Sequence, residues 1–181
     1  MNKGYTLIEI LISMVIFSLI SGAAFGIFSS TIEIQKYSLG SQQLLGQTSY
    51  VVEYMSRAFR MAKRAENNDC INTDSNYENP GGDETKIKFL TYNGKCVQFF
   101  LDGASKQLKI RRNIGDVDEA ILALTSDNFE VTNLKFEIEG ETSTDDLQPK
   151  VILFMEIKGE GSGYQPNMKI QTTLSQRDLD F

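Results

Sequence analysis

The chain changes character along its length, and the first change is the sharpest. From Tyr5 to Phe28 nearly every position is apolar or small, and Glu9 is the single charge between Tyr5 and Ile32. Residues 5–28 number 24. As a helix they reach about 36 Å, enough to cross a hydrocarbon core of about 30 Å. A helix apolar on every face has no side to present to water, so the pattern predicts a transmembrane helix over 5–28.

Beyond that run the pattern turns periodic. Ile34, Tyr37, Leu44, Leu45, Thr48, Val51, Val52, Met55, Phe59 and Ala62 recur at spacings of three and four, the stripe of an amphipathic helix. Ser38, Gln42, Gln43, Gln47, Glu53 and Arg57 fill the opposite side. The prediction is one long helix over 5–65, its amphipathic part covering 29–65, with a bend at Gly40 or Gly46. The stripe is read as core against a sheet. Arg57, Arg60, Lys63 and Arg64 close the helix, where cations complement the negative end of the macrodipole. Docking onto an acidic neighbour is their alternative role.

Residues 66–85 are rich in Asn, Asp, Glu and Gly and read as a polar linker. Alternation then predicts six strands, over 86–92, 96–102, 107–112, 129–139, 150–158 and 168–175. Asn93-Gly94 marks a tight hairpin and Asp102-Gly103 a second turn. Residues 119–124 read as a short helix or irregular chain. The glycines of Gly159-Glu160-Gly161-Ser162-Gly163 precede no helix, so they read as a flexible turn rather than a phosphate cradle. The expected fold is α+β: a long N-terminal helix whose upper half packs on an antiparallel sheet, with 66–181 as the globular head.

Charge divides the chain in the same place. Residues 1–65 carry six basic and three acidic groups, and residues 66–181 carry twelve basic and twenty-one acidic. The 181-residue chain has a net charge of −6, so a global affinity for nucleic acid is not expected. The chain contains no His, which removes the commonest neutral-pH base and the commonest zinc ligand. No catalytic set emerges, and Asp145 and Asp146 read as a solvated loop, so the chain is not read as an enzyme. Asn72, Asp74, Asn76 and Asp83 resemble a calcium loop in part. However, Tyr77 stands where such a loop needs Gly, and Asp83 replaces its closing Glu. The segment is therefore read as a surface loop, with calcium elsewhere in the acidic head left open.

Glu9 is the anomaly in the apolar run. A carboxylate in a bilayer costs several kcal/mol unless it is paired or near the interface. One reading is an anion favoured by the dipole near a helix start. The other is a carboxylate that meets a cation on a neighbouring chain. The run is preceded only by Met1-Asn2-Lys3 and Gly4. Lys3 favours a cytoplasmic N-terminus and an exported remainder. Ser21-Gly22-Ala23-Ala24 imitates a conventional signal-peptidase site, which keeps ordinary secretion as an alternative.

Lys3-Gly4-Tyr5-Thr6-Leu7-Ile8-Glu9, followed by the long apolar run, resembles the processing signal of type IV pilins and type II secretion pseudopilins. The resemblance implies a leader over 1–4, removed by prepilin peptidase between Gly4 and Tyr5, and methylation of the new Tyr5 amine. It also implies assembly through Glu9, paired with the Tyr5 amine of another subunit. Such pairing relieves the cost of a bare carboxylate in lipid. Small residues Gly22, Ala23, Ala24 and Gly26 would let helices approach closely. Major type IV pilins usually carry proline where this chain has Gly26, which suits a pseudopilin or minor pilin better. Gln171–Arg177 and Leu124–Phe129 resemble segments of J-type minor pseudopilins and their W-type pilus relatives.

The function the resemblance implies is that of a minor pseudopilin, a structural subunit of a type II secretion filament or its tip complex. Alternatives are a minor pilin of a type IV pilus or DNA-uptake machine, and a single-span exported binding protein. The implied partners are other pseudopilins or pilins, prepilin peptidase, an inner-membrane assembly platform and membrane lipid. The implied location is the bacterial inner membrane, single-pass, with the N-terminus cytoplasmic and the head exported. In an oxidising exterior, Cys70 and Cys96 suggest one disulfide tying the helix exit loop to the second strand. Two free buried thiols are the alternative. No cofactor is implied.

Overall fold

Residues 7–60 contain no proline, and their glycines are isolated, so nothing removes a helical hydrogen bond along this stretch. In the computed structural model, which describes residues 4–67, 70–140, 147–160 and 165–177, they form a single helix, α1 (Leu7–Arg60), continuous through Gly40 and Gly46. The chain divides into two compact units, Met1–Leu39 and Gly40–Phe181. In the first, every described residue from Gly4 to Leu39 is exposed. The second contains all the strands and the whole hydrophobic core.

Within the second unit, α1 buries Leu44, Thr48, Val51, Met55 and Phe59, one face at spacings of three and four. The expected stripe is thus core only from Leu44 onward. Ile34 and Tyr37 belong to the other unit and are exposed, as is Leu45. The helix ends at Arg60 rather than continuing to residue 65. Its last helical bond runs from the Met61 N–H to the Arg57 carbonyl. The chain then leaves as β1 (Ala62–Lys63), pairing with residues 90–91. Three carbonyls at and just past the helix end find partners outside it. Phe59 accepts from the Tyr77 hydroxyl, Arg60 from the Arg177 N–H, and Ala62 from the Gln176 side-chain amide. The orphan acceptors of a helix end are in this way satisfied by the fold around it.

The remaining strands are β2 (Tyr77–Glu78), β3 (Lys86–Thr91), β4 (Cys96–Asp102), β5 (Gln107–Arg112), β6 (Ala120–Ala123), β7 (Phe129–Glu139), β8 (Lys150–Gly159) and β9 (Asn167–Ser175). They form two antiparallel sheets rather than one. The first has the order β1-β3-β4-β5-β6, with β2 also pairing with β3; the second is the meander β7-β8-β9. The sheets meet where the Phe136 and Val131 N–H groups of β7 donate to the carbonyls of Glu84 and Lys106. The architecture is α+β and pilin-like: a long N-terminal apolar helix with antiparallel sheets.

Three local readings change. Residues 120–123 are a strand, not a helix, because they pair with Lys109–Arg112 of β5. Segment 66–85 is no solvated linker: Cys70, Ile71, Ser75, Asn76 and Tyr77 are buried. The imperfect alternation in β7 has its cause in a bulge between Val131 and Asn133. The extra residue restores Leu134 and Phe136 to the core face. The Asn93-Gly94 hairpin forms as expected, with Gly94 at φ 73°, a left-handed conformation that glycine adopts without strain.

Candidate processing and assembly site

Gly4, Tyr5 and Thr6 precede the first helical residue, Leu7. The Thr6 carbonyl accepts from the Glu9 and Ile10 N–H groups at 3.1 and 3.3 Å, which opens the helix and puts Glu9 in its first turn. Thr6-Leu7-Ile8-Glu9 has the residue order of a capping box, in which the glutamate folds back on the capping residue's N–H. That reciprocal bond is not formed. Among the described residues, the Glu9 carboxylate has no hydrogen-bond or ion-pair partner.

Three hydroxyls along the exposed helix are satisfied by its own backbone. The Ser13, Ser18 and Thr31 hydroxyls donate to the carbonyls of Glu9, Met14 and Ile27, four residues back, at 2.8, 2.8 and 2.9 Å. Such back-bonding removes most of the cost of a hydroxyl in lipid. Glu9 is the one charged side chain between Tyr5 and Ile32, and among the described residues its cost in an apolar medium is uncompensated. It lines a shallow groove of about 430 Å³ together with Tyr5, Ile10, Ser13, Met14 and Phe17. The groove is apolar except for the glutamate and Ser13. It lies beside Tyr5, where cleavage after Gly4 would create an amine. Further along, Gly22 and Gly26 fall four residues apart on one face, and a Cβ at either would meet nothing within 4 Å.

An 18-residue window of this helix has a mean hydropathy of 2.3 and none of it is buried. Residues 1–25 match the family model described as the prokaryotic N-terminal methylation motif. The chain carries a type IV pilin-like prepilin signal. Comparisons with curated proteins and with solved structures found no match. The signal is of the kind that prepilin peptidase processes in type IV pilin-like proteins. With the exposed apolar helix it gives a single-pass membrane anchor.

The head accounts for the other expected site residues. Cys70 and Cys96 form a disulfide with a Cα–Cα distance of 5.5 Å. It joins the segment after β1 to the start of β4, inside a small satellite core with Ala65 and Ile71. The four residues compared with a calcium loop are scattered in role. Asn76 is buried beside Tyr77, while Asp83 holds Lys86 at 2.7 Å and accepts from the Thr85 N–H and hydroxyl. Among the described residues no cluster of three or more His, Cys, Asp or Glu is placed to hold a metal ion. Met1–Lys3 of the leader, Asp145 and Asp146, and glycines 161 and 163 lie outside the described residues.

Two residues with structural roles were not singled out by pattern. Gln47, read on the polar side of the stripe, donates to the Leu124 carbonyl at 2.9 Å. Tyr77, read only as a misfit in a calcium loop, is fully buried against the helix end. A tyrosine isolated within a polar stretch was the available signal in the second case.

Proposed function

We propose that this chain is a minor pseudopilin, a structural subunit of a type II secretion filament or its tip complex. It is cut between Gly4 and Tyr5, methylated on the Tyr5 amine, and drawn into assembly by pairing of Glu9 with the Tyr5 amine of a neighbouring subunit. Its N-terminus faces the cytoplasm and its head is exported. The observation that supports this reading is the unpartnered Glu9 carboxylate in the first turn of an exposed apolar helix, four residues after Tyr5. In lipid a lone carboxylate gains more from a cation than from any other available contact. The Cys70–Cys96 disulfide accords with an exported head.

Mass spectrometry of the N-terminal peptide from membrane-extracted protein tests the processing. A species beginning at methylated Tyr5 is expected, and an intact Met1 in mature material would overturn the proposal. Assembly is tested by Glu9→Leu or Glu9→Val. Membrane insertion should persist while cross-linking into multimers falls; normal multimers would exclude the pairing.

A further inference from the structure

The C-terminal turns of α1, the β3–β4 hairpin and β5 enclose an open groove of about 450 Å³. A shallower hollow of about 300 Å³ adjoins it, walled by β1 and the segment after β9. Met61 and Tyr92 line both, and are 49% and 55% exposed, so the two hollows form one surface with an apolar centre. Around that centre stand Arg57, Arg60, Lys63, Lys95, Arg112 and Arg177. No Asp or Glu among the described residues lines either hollow.

The cations are unusual for this head. Elsewhere most head lysines are neutralised in place, among them Lys86 by Asp83, Lys109 by Asp102, Lys150 by Glu139 and Lys158 by Glu130. In the groove Arg57 has Glu53 and Lys95 has Asp116. Arg60, Lys63, Arg112 and Arg177 have no ion-pair partner among the described residues. Arg112 is held by a neutral platform instead. It donates to the Tyr54 hydroxyl, and its guanidinium lies 5.8 Å from the centroid of the Tyr54 ring. That arrangement orients the charge without cancelling it. Four uncompensated cations thus border this joined surface, Arg112 on the apolar groove and Arg60, Lys63 and Arg177 on the hollow beside it, while residues 66–181 as a whole are strongly acidic.

We infer that this groove docks a short acidic peptide segment, bearing an apolar or aromatic side chain, from a neighbouring protein. The apolar side chain lies in the groove between Met61 and Tyr92, over Phe89 and Ile110. Its flanking carboxylates meet Arg60, Lys63, Arg112 and Arg177. Arginine suits this role because its planar fork accommodates carboxylates in two parallel bonds. A peptide is favoured over nucleic acid because the basic area is local. A polyanion longer than the groove would run onto the acidic remainder of the head and be repelled. The docking does not depend on Glu9 or on processing at Gly4.

The test uses the full-length protein in a nonionic detergent. The probe is a fluorescent peptide of alternating Glu and Leu with a central Phe, read by anisotropy. Comparison probes replace every Glu by Gln, replace every apolar residue by Ser, or are single-stranded DNA of matched length. Saturable binding of the first probe is expected, weakened at least tenfold by either peptide replacement. Arg60→Gln with Arg112→Gln should weaken it at least fivefold while the protein still unfolds cooperatively, at a melting temperature lowered by the loss of the Arg112–Tyr54 contact. Lys63→Gln, at an exposed side chain, should weaken it in the same direction with no risk to folding. Binding unaffected by these substitutions, absence of saturable binding, or DNA binding as tight as the acidic-apolar peptide would each overturn the assignment.

Discussion

The Tyr77 hydroxyl donates to the carbonyl oxygen of Phe59 at 2.8 Å, and the two rings meet edge to face with centroids 5.7 Å apart. Both side chains are fully buried. Phe59 also meets Phe89, Phe99 and Phe136 at 5.2, 5.4 and 6.3 Å. One side chain from the last turn of α1 therefore touches β2, β3, β4 and β7, strands drawn from both sheets. Phe59→Ala should destabilise the protein by about 3–5 kcal/mol, the range for a large aromatic removed from a packed core. Tyr77→Phe should cost about 1 kcal/mol, because it removes one buried hydrogen bond and leaves a helix-end carbonyl unpaired. Urea unfolding followed by near-ultraviolet circular dichroism checks both, and a larger loss for Tyr77→Phe than for Phe59→Ala would contradict the arrangement.

That contact also shows where sequence pattern stops being informative. The apolar run, the helical stripe from Leu44 to Phe59 and the strands over 96–102, 107–112 and 129–139 were legible because each is a local periodicity. Segment 66–85 was not, because its order comes from outside it. Tyr77 is fixed by a helix carbonyl, Cys70 by Cys96, and the Asn79 amide donates to the Lys86 carbonyl. Strand β6 was missed for the same reason, since its four residues are all exposed and only their pairing with β5 makes them a strand. At the candidate assembly site the residue identities were legible, and the absence of a partner for Glu9 was not.

Cys70 and Cys96 are 26 residues apart. In the chain-entropy model, closing a loop of that size restricts the unfolded chain by about 3–4 kcal/mol. Cys70→Ser with Cys96→Ser should lower unfolding stability by about that amount. Denaturant titration of oxidised and double-serine protein at equal concentration reads the difference. An unchanged midpoint would show that the cross-link closes no loop that matters to the unfolded ensemble.

Acidification should loosen the head within a defined window. Lys86, helped by the Thr85 hydroxyl and N–H, pulls the Asp83 carboxyl down to about 2 from an ordinary 3.8. Lys109, followed by Ser105 and the Ala104 N–H, pulls Asp102 down to about 2 as well. Lys158, and secondarily Lys106, lowers Glu130. For groups lowered on folding, the contribution is present above the ordinary value and is lost as pH falls through the folded one. Stability should therefore decline as pH falls from about 4 to about 2. Asp83→Asn with Asp102→Asn should shrink that decline. Thermal melts across this range would count against the assignment if both proteins lost stability in parallel.

Glu9 admits two physical roles, and a single substitution separates them. If its value lay in capping the helix start, glutamine would serve nearly as well, since Glu and Gln both occupy that position of a capping box. If its value lies in pairing with a cationic amine, glutamine fails because it carries no charge. The structure lacks the capping bond and leaves the carboxylate without a partner among the described residues. Glu9→Gln should therefore impair incorporation into multimers about as severely as Glu9→Leu, while both insert into the membrane normally. Glu9→Asp, which keeps the charge on a shorter stem, should retain part of the wild-type yield. Cross-linking of membranes containing each variant gives the ranking. Wild-type yield from the glutamine variant would return Glu9 to a role confined to its own helix.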